Sequence, residues 1–210
     1  MTRVNDVMLL AASRVGGEVV PARAQMAATL GFHIILACLG IALPAIVLLA
    51  EFIGLRRRDE TAMRLARRWS QAMGVLVAVG AVTGTVLSFE MGLLWPGLMR
   101  AYGAVLGFPF GVEGIFFFLE AIFAGIYLWG WRRLPGWAHF WSGVPIAVSG
   151  IFGAMSVIAV NSWMNTPGGF TQQDGRITSV NVWQVYFNHA ALYEMPHMIL
   201  AAYMVTGRIR

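Results

Sequence analysis

The sequence predicts an all-α membrane protein, a bundle of about five transmembrane helices with its amino terminus outside. Of the 210 residues, 58% are hydrophobic and 12% are charged, whereas soluble domains carry about 25% charged residues. Five apolar stretches reach the ~20 residues that a helix needs to cross a hydrocarbon core about 30 Å thick. They cover residues 29–54, 71–95, 109–131, 137–162 and 186–207. None alternates in polarity at every second residue, which excludes the strands of a membrane barrel.

Residues 1–25 precede the first span and form a weakly apolar segment that carries three arginines. They lack the compact apolar stretch and small-residue cleavage site of a signal peptide. We therefore expect a loose or interfacial amino-terminal segment over residues 1–25, followed by one transmembrane helical domain over residues 26–210.

All fifteen basic residues are arginines, and their distribution predicts the orientation. Ten follow the first, third and fifth spans, and five lie on the other side of the predicted membrane. Because arginine-rich loops remain in the cytoplasm, the amino terminus is expected outside. The net charge of +5 is spread over the span ends, so we expect no nucleic-acid partner.

The connection over residues 165–183 is the longest polar stretch between spans and is rich in turn formers, which predicts an external loop. The single cysteine, Cys38, excludes an internal disulfide and a CxxC metal site.

Glu113 and Glu120 lie within the third span, where an ionised carboxylate is costly. At the centre of a bilayer it costs about 2.5–3.5 kcal/mol. Seven residues of helix make nearly two full turns, so the two side chains share one face. They are expected to point into a protein interior, a wet path or a bound cofactor.

The four histidines are the next polar residues of the spans. His33 opens the first span, His189 and His197 lie in the fifth, and His139 begins the fourth beside aromatic residues. Imidazole is a common ligand of haem iron, and spacing favours His33 and His197 for that role over His189 and His139. A hydrogen-bonded structural histidine is the alternative for each.

The predicted spans also contain Glu51, Glu90 and several glycines. Glu51 is near the predicted cytoplasmic end and is expected to extend to the aqueous edge, while Glu90 could be structural, quinol-related or proton-conducting. Glycines on the second and fourth spans would allow close helix packing or leave room for a flat macrocycle; they are Gly74, Gly80, Gly84, Gly143, Gly150 and Gly153.

Three sequence blocks resemble subunit I of cytochrome bd-type quinol oxidases. They are LSFEMGLLWPGLM, GFPFGVEGIFFFLEAIFAGIYLWGW and VIAVNSWMNTPGGF. Their order and spacing match over about residues 22–207, and the seven-residue glutamate spacing is more similar to the cyanide-insensitive branch than to the enterobacterial one. The resemblance covers the amino-terminal half of the family's length, so the chain is expected to be a fragment that alone holds an incomplete haem set.

The resemblance implies a multi-pass subunit of the bacterial cytoplasmic (inner) membrane that oxidises quinol, with ubiquinol favoured, and reduces dioxygen to water, contributing to the proton-motive force. It implies low-spin and high-spin haem b, and haem d or a third haem b. His33 corresponds to a ligand of a high-spin haem and His197 to the ligand of the low-spin haem. Glu113 and Glu120 correspond to paired acids in haem ligation or proton delivery, and Asn161 and Trp163 to a block that shapes the site.

The implied protein partners are subunit II of the oxidase and a small single-helix subunit, within membrane lipid. Two other classes stay open at this point. A haem b electron carrier without oxygen chemistry would have no need of Glu113 and Glu120, and a haem-free proton-coupled transporter would use these acids without iron.

Overall fold

The computed structural model describes residues 2–174 and 176–208, with side chains from residue 18 onward. Six helices and one hairpin follow each other along the chain. They are α1 (Thr2–Arg57), α2 (Glu60–Leu94), α3 (Pro96–Gly130), α4 (Gly136–Asn165), β1 (Phe170–Gln173), β2 (Arg176–Val180), α5 (Val182–Tyr186) and α6 (Ala191–Gly207).

The tight connections between the long helices follow from residues at their ends. Arg58, with a φ of 53°, ends α1 in the left-handed region. Asp59 then caps α2, since its carboxylate accepts hydrogen bonds from the backbone N–H groups of Thr61 and Ala62 at 2.8 and 3.1 Å. Pro96 occupies the first turn of α3, where its missing N–H costs nothing. These short turns make α1, α2 and α3 antiparallel neighbours.

The four long helices pack into a bundle that α6 joins. Helix α1 packs along α2, α3 packs along α4, and α1 also contacts α4 and α6. One buried cluster near the α1–α2 turn contains Val47, Leu48, Met73, Ala124, Tyr127 and Ile146. A second cluster, toward the hairpin, contains Val105, Leu106, Val160, Trp163 and Val185. Along α3, the stretch between the two clusters carries Glu113 and Glu120.

Within the described residues, four helices are long and apolar enough to cross a membrane: α1 over Glu18–Arg57, and all of α2, α3 and α4. The fifth predicted span contains α6, whose 17 residues measure about 25 Å at 1.5 Å per residue. The all-α membrane fold is confirmed. The count of five spans, the external amino terminus and the division at residue 25 stay predictions, and residues 1–17 fall outside the described side chains.

The helices extend beyond the predicted spans because hydropathy marks only the apolar part of a helix. Helix α3 begins at Pro96 and contains Pro109 in its interior, although the predicted span starts at residue 109. Within the predicted loop over residues 165–183, β1 and β2 form an antiparallel hairpin, with Phe170 opposite Val180 and a bulge at Thr171 and Gln172. Such a short polar hairpin leaves little pattern in the sequence.

Gly143 gives a test of the packing between α4 and its neighbours. A Cβ at this position would lie 2.7 Å from Leu48 and 2.8 Å from the ring of Tyr127. We expect Gly143→Ala to lower the free energy of unfolding by about 1–3 kcal/mol, since overpacking a filled core forces displacement. Thermal unfolding in detergent, followed by circular dichroism, measures the change.

Gly111→Ala is the matched control on α3. No described atom lies within 4 Å of a Cβ built at this glycine, and alanine favours the helix by roughly 0.5–1 kcal/mol. An equal loss of stability in both variants would contradict the packing described for Gly143.

Candidate functional site

One cavity of about 660 Å³ opens among α1, α2, α3, α4 and α6, and it brings together the two histidines favoured as ligands and the two acids of the third span. His33, Glu113, Glu120 and His197 line it. Most of the remaining lining is aliphatic or aromatic. The volume is within the ~300–1,000 Å³ of sites for small molecules and cofactors. An apolar hollow with a few polar groups is the usual form of a cofactor site.

His33 reaches this cavity from α1, and a contact to α2 fixes its ring. Its Nδ1 lies 2.8 Å from Oγ1 of Thr83. The Thr83 hydroxyl is within 3.1 Å of the carbonyls of Val79 and Gly80. A hydroxyl has one proton to donate; when that proton goes to one of these carbonyls, the neutral His33 tautomer that fits donates its Nδ1–H to Thr83. Nε2 then keeps its lone pair, the arrangement expected of an iron ligand oriented by its other ring nitrogen.

Glu113 and Glu120 enter the cavity from α3, as their seven-residue spacing predicts. Both side chains are partly buried. Oε1 of Glu120 lies 3.8 Å from a Cβ built on Gly150 of α4, so this carboxylate approaches the facing helix closely. The two acids therefore form a line along the cavity wall.

His197 lines the cavity from α6, whereas His189 does not. His189 is exposed and packs against Tyr193, with the ring centroids 5.5 Å apart. The two histidines of the fifth predicted span therefore lie in different surroundings, and the assignment of His197 as a ligand stays a prediction.

Sequence reasoning missed Glu194, a third carboxylate on the cavity wall. Its Oε2 accepts hydrogen bonds from Ser162 Oγ at 2.7 Å and from Asn161 Nδ2 at 3.1 Å, which join α6 to α4. The spacing of Glu194 and His197, three residues apart on one helix face, was the available signal. Asn161 also lines the cavity, while Trp163 is buried elsewhere and donates to the carbonyl of Gly168 at 2.8 Å.

Glycines make two walls of the cavity flat. Gly80 and Gly84 of α2 and Gly150 and Gly153 of α4 all line it. A Cβ at Gly80 would meet no described atom within 4 Å, and one at Gly84 would lie 3.3 Å from the His33 ring. Any larger side chain there would fill the hollow or press on the histidine. In contrast, Gly74 packs against Leu128 and serves helix packing.

The donors fit a haem, whose iron takes only axial ligands from protein. The described part of the chain contains no group of three or more histidine, cysteine or acidic side chains that could hold a bare metal ion. The imidazoles of His33 and His197 are separate donors in an apolar hollow with glycine walls. A porphyrin supplies the remaining iron ligands, so separate axial donors suffice.

Glu51 and His139 form a buried polar cluster with Tyr127. Nδ1 of His139 lies 2.7 Å from Glu51 Oε1, Tyr127 donates its hydroxyl to Glu51 Oε2 at 2.6 Å, and Nε2 of His139 lies 2.9 Å from the Tyr127 carbonyl oxygen. Glu51 and His139 are 1% and 2% exposed. The expectation that Glu51 extends to the aqueous edge is therefore wrong, because its two partners hold it inside.

Glu90 is also buried, and α1 supplies its partners. Gln25 Nε2 and Thr29 Oγ1 donate to Glu90 Oε1 at 3.0 and 2.9 Å, while Oε2 has no partner among the described residues. Gln25, Thr29 and His33 follow each other at intervals of four residues, so they form one stripe on α1. The contact between α1 and α2 is therefore polar along this stripe.

Comparison with known proteins shows the family of this chain. The family model of cytochrome bd terminal oxidase subunit I matches residues 21–209. The chain is 36% identical over 187 residues to a Bacillus subtilis protein named "Putative cytochrome bd menaquinol oxidase subunit I", covering 89% of this chain and 42% of that protein. It is 34% identical to cytochrome bd ubiquinol oxidase subunit 1 of the same organism, over 90% of this chain and 41% of the relative.

The solved structure of bd oxidase from Geobacillus thermodenitrificans is similar with a TM-score of 0.86 and 36% identity, over 90% of this chain and 44% of that chain. The chain thus spans about two fifths of the length of the relatives it matches. With its membrane-length helices, it is a protein of the bacterial inner membrane. Since the family model covers nearly all of its length, the chain belongs to the cytochrome bd terminal oxidase subunit I family.

Proposed function

We propose that this chain forms the haem-binding and proton-delivering part of a quinol:oxygen oxidoreductase of the cytochrome bd type. The single observation that supports this most is that His33, His197, Glu113 and Glu120 line one apolar cavity. The substrates would be dioxygen and a quinol, and relatives are named for ubiquinol and for menaquinol. Subunit II and a small single-helix subunit would be the protein partners.

In this proposal, His197 holds a low-spin haem b and His33 holds a high-spin haem, with Glu113 as a further ligand beside it. When bound, the haems, including haem d or a third haem b, carry electrons from quinol to dioxygen. Thr83 orients His33 by accepting its Nδ1–H, which keeps the Nε2 lone pair available. Gly80 and Gly84 leave room for a flat group beside that ring.

Glu120 and Glu113 would supply the protons that oxygen reduction consumes. Seven residues of helix separate their Cα atoms by about 10.5 Å, a distance that flexible side chains and water can bridge. The Glu120 carboxylate takes a proton from the side of the α1–α2 turn, and the Glu113 carboxylate receives it. Because the walls are apolar, protons reach the site through these carboxylates rather than by free access of water.

An absorption spectrum of the oxidase that contains this chain tests the proposal. Dithionite-reduced membranes are expected to show b-type bands, together with a far-red chlorin band if the third haem is haem d. Complete absence of haem bands would leave the transporter hypothesis. Bands of haem b without any quinol-dependent oxygen consumption would leave the electron-carrier hypothesis.

Glu120→Gln tests the proton role separately from haem binding. The amide keeps the shape of the side chain but cannot hand on a proton, so we expect quinol-dependent oxygen consumption to fall by about 100-fold or more. The haem bands should remain, and an oxygen electrode and a reduced-minus-oxidised spectrum measure the two properties.

Glu60→Gln is the matched control, because Glu60 is an exposed carboxylate whose partner is Arg64 at 3.4 Å. It should leave the rate unchanged. An unchanged rate in Glu120→Gln would contradict proton delivery, and loss of haem bands would assign Glu120 to the binding of haem instead.

A further inference from the structure

A second cavity, of about 480 Å³, lies where α2 begins and α3 ends, and it shares no lining residue with the first. Arg67, Ser70 and Gln71 of α2 line one side. The other side is formed by residues at the end of α3 and just after it: Leu128, Trp129, Trp131, Arg132 and Arg133. The proposed oxidase function uses none of these residues.

Three arginines and no acidic residue line this arginine pocket. Within the described part of the chain, the ion pairs are Arg64 with Glu60 and His139 with Glu51, so no described carboxylate neutralises Arg67, Arg132 or Arg133. Three arginines that no described carboxylate neutralises line one hollow, and this charge favours an anion.

Uncharged contacts hold two of the arginines in place. Arg133 donates from Nη1 to the carbonyl oxygen of Trp129 at 3.2 Å, and the Arg67 guanidinium carbon lies 6.0 Å from the Trp131 ring centroid. Beneath them, Trp131 Nε1–H donates to the buried Ser70 hydroxyl at 3.0 Å. Contacts between α2 and the end of α3 thus hold the pocket in shape. The guanidinium groups of Arg67 and Arg133 keep further N–H groups that can donate to a ligand.

Exposed apolar residues beside the arginine pocket indicate which class of anion fits it. Trp129 is 72% exposed, and Ile126 and Ile122, one and two turns earlier on α3, are 44% and 56% exposed. These residues form an apolar stripe that leads from the pocket along the outside of the bundle. A free phosphate would make no contact with that apolar stripe, whereas the acyl chain of a lipid would cover it.

We propose that the arginine pocket binds the phosphodiester headgroup of an anionic phospholipid, with an acyl chain lying along Ile122, Ile126 and Trp129. Guanidinium groups donate in pairs to phosphate oxygens, and indoles prefer the headgroup layer. Basic pockets between transmembrane helices are known to take anionic lipid headgroups.

Native mass spectrometry of the chain in detergent tests this proposal, with phosphatidylglycerol, phosphatidylcholine and inorganic phosphate as probes. We expect phosphatidylglycerol to bind at least about tenfold more tightly than phosphatidylcholine. The double variant Arg67→Gln/Arg132→Gln should lose that preference, since each arginine near a lipid surface contributes about a fivefold factor. Arg67→Lys/Arg132→Lys keeps the charge and should retain part of it.

Arg56→Gln/Arg57→Gln is the matched control, because it removes two exposed arginines at the end of α1 that do not line the pocket. It should keep the preference. Equal binding of the two lipids, an equal loss in the control, or displacement of phosphatidylglycerol by millimolar phosphate would each overturn the proposal. Exclusion of the lipid from the assembled oxidase would also overturn it, since the pocket would then hold an acidic side chain of a partner subunit. If the arginine variants fail to fold, the comparison of lipids on the unchanged chain decides alone.

Discussion

Replacing His197 with alanine is expected to remove the low-spin haem b from the oxidase that contains this chain. The side chain lines the large cavity from α6, and the proposed function gives its imidazole to one haem iron. Alanine offers no lone pair, so the imidazole that would hold this haem is lost. The reduced-minus-oxidised absorption spectrum and the haem content per complex measure the loss, which should be complete for that haem.

His189→Ala is the matched control for this variant. His189 is in the turn before α6, is exposed and packs against Tyr193 rather than facing the cavity. Its replacement should leave the spectrum unchanged. A normal low-spin signal in His197→Ala would refute the ligand assignment. An equal loss in both variants would show that α6 had unfolded or moved, so that the loss would not report on the ligand.

The membrane fold and the residues of the large cavity could be predicted because polar groups are rare and costly in apolar helices. A single glutamate or histidine in such a stretch already points to an interior. The seven-residue spacing then places Glu113 and Glu120 on one face of α3 without any knowledge of its neighbours. These inferences need only one helix at a time.

Pairs that form between helices could not be predicted in this way. Glu51 and His139 are 88 residues apart in the sequence, and hydropathy gives the depth of a residue but not the direction in which its helix face points. Glu51 was therefore expected at the aqueous edge, although it and His139 bury each other. Glu194 was missed for a related reason, since its partners Asn161 and Ser162 belong to another helix.

Glu51→Ala is expected to destabilise the bundle strongly. The Glu51 carboxylate satisfies both Nδ1 of His139 and the hydroxyl of Tyr127, and all three residues are at most 2% exposed. Removing one member of a buried polar pair leaves the other members unpaired, at a cost of about 3–5 kcal/mol. Thermal unfolding in detergent should show the loss, while Glu60→Ala, at an exposed site on α2, should change stability by less than about 0.5 kcal/mol.

A double-mutant cycle separates the unpaired-partner penalty from loss of packing. His139 stacks on Tyr127 and Trp131, with ring centroids 4.2 and 4.1 Å away, so His139→Ala also removes contact area. If the penalty comes from stranded polar groups, then Glu51→Ala/His139→Ala should cost clearly less than the sum of the two single changes, by roughly 0.5–3 kcal/mol. Additive losses would mean that the two side chains stabilise the bundle independently, through packing alone. A coupled loss would mean that this cluster holds α1, α3 and α4 together at one end of the bundle. The cluster would then also set the spacing of these helices where they line the large cavity.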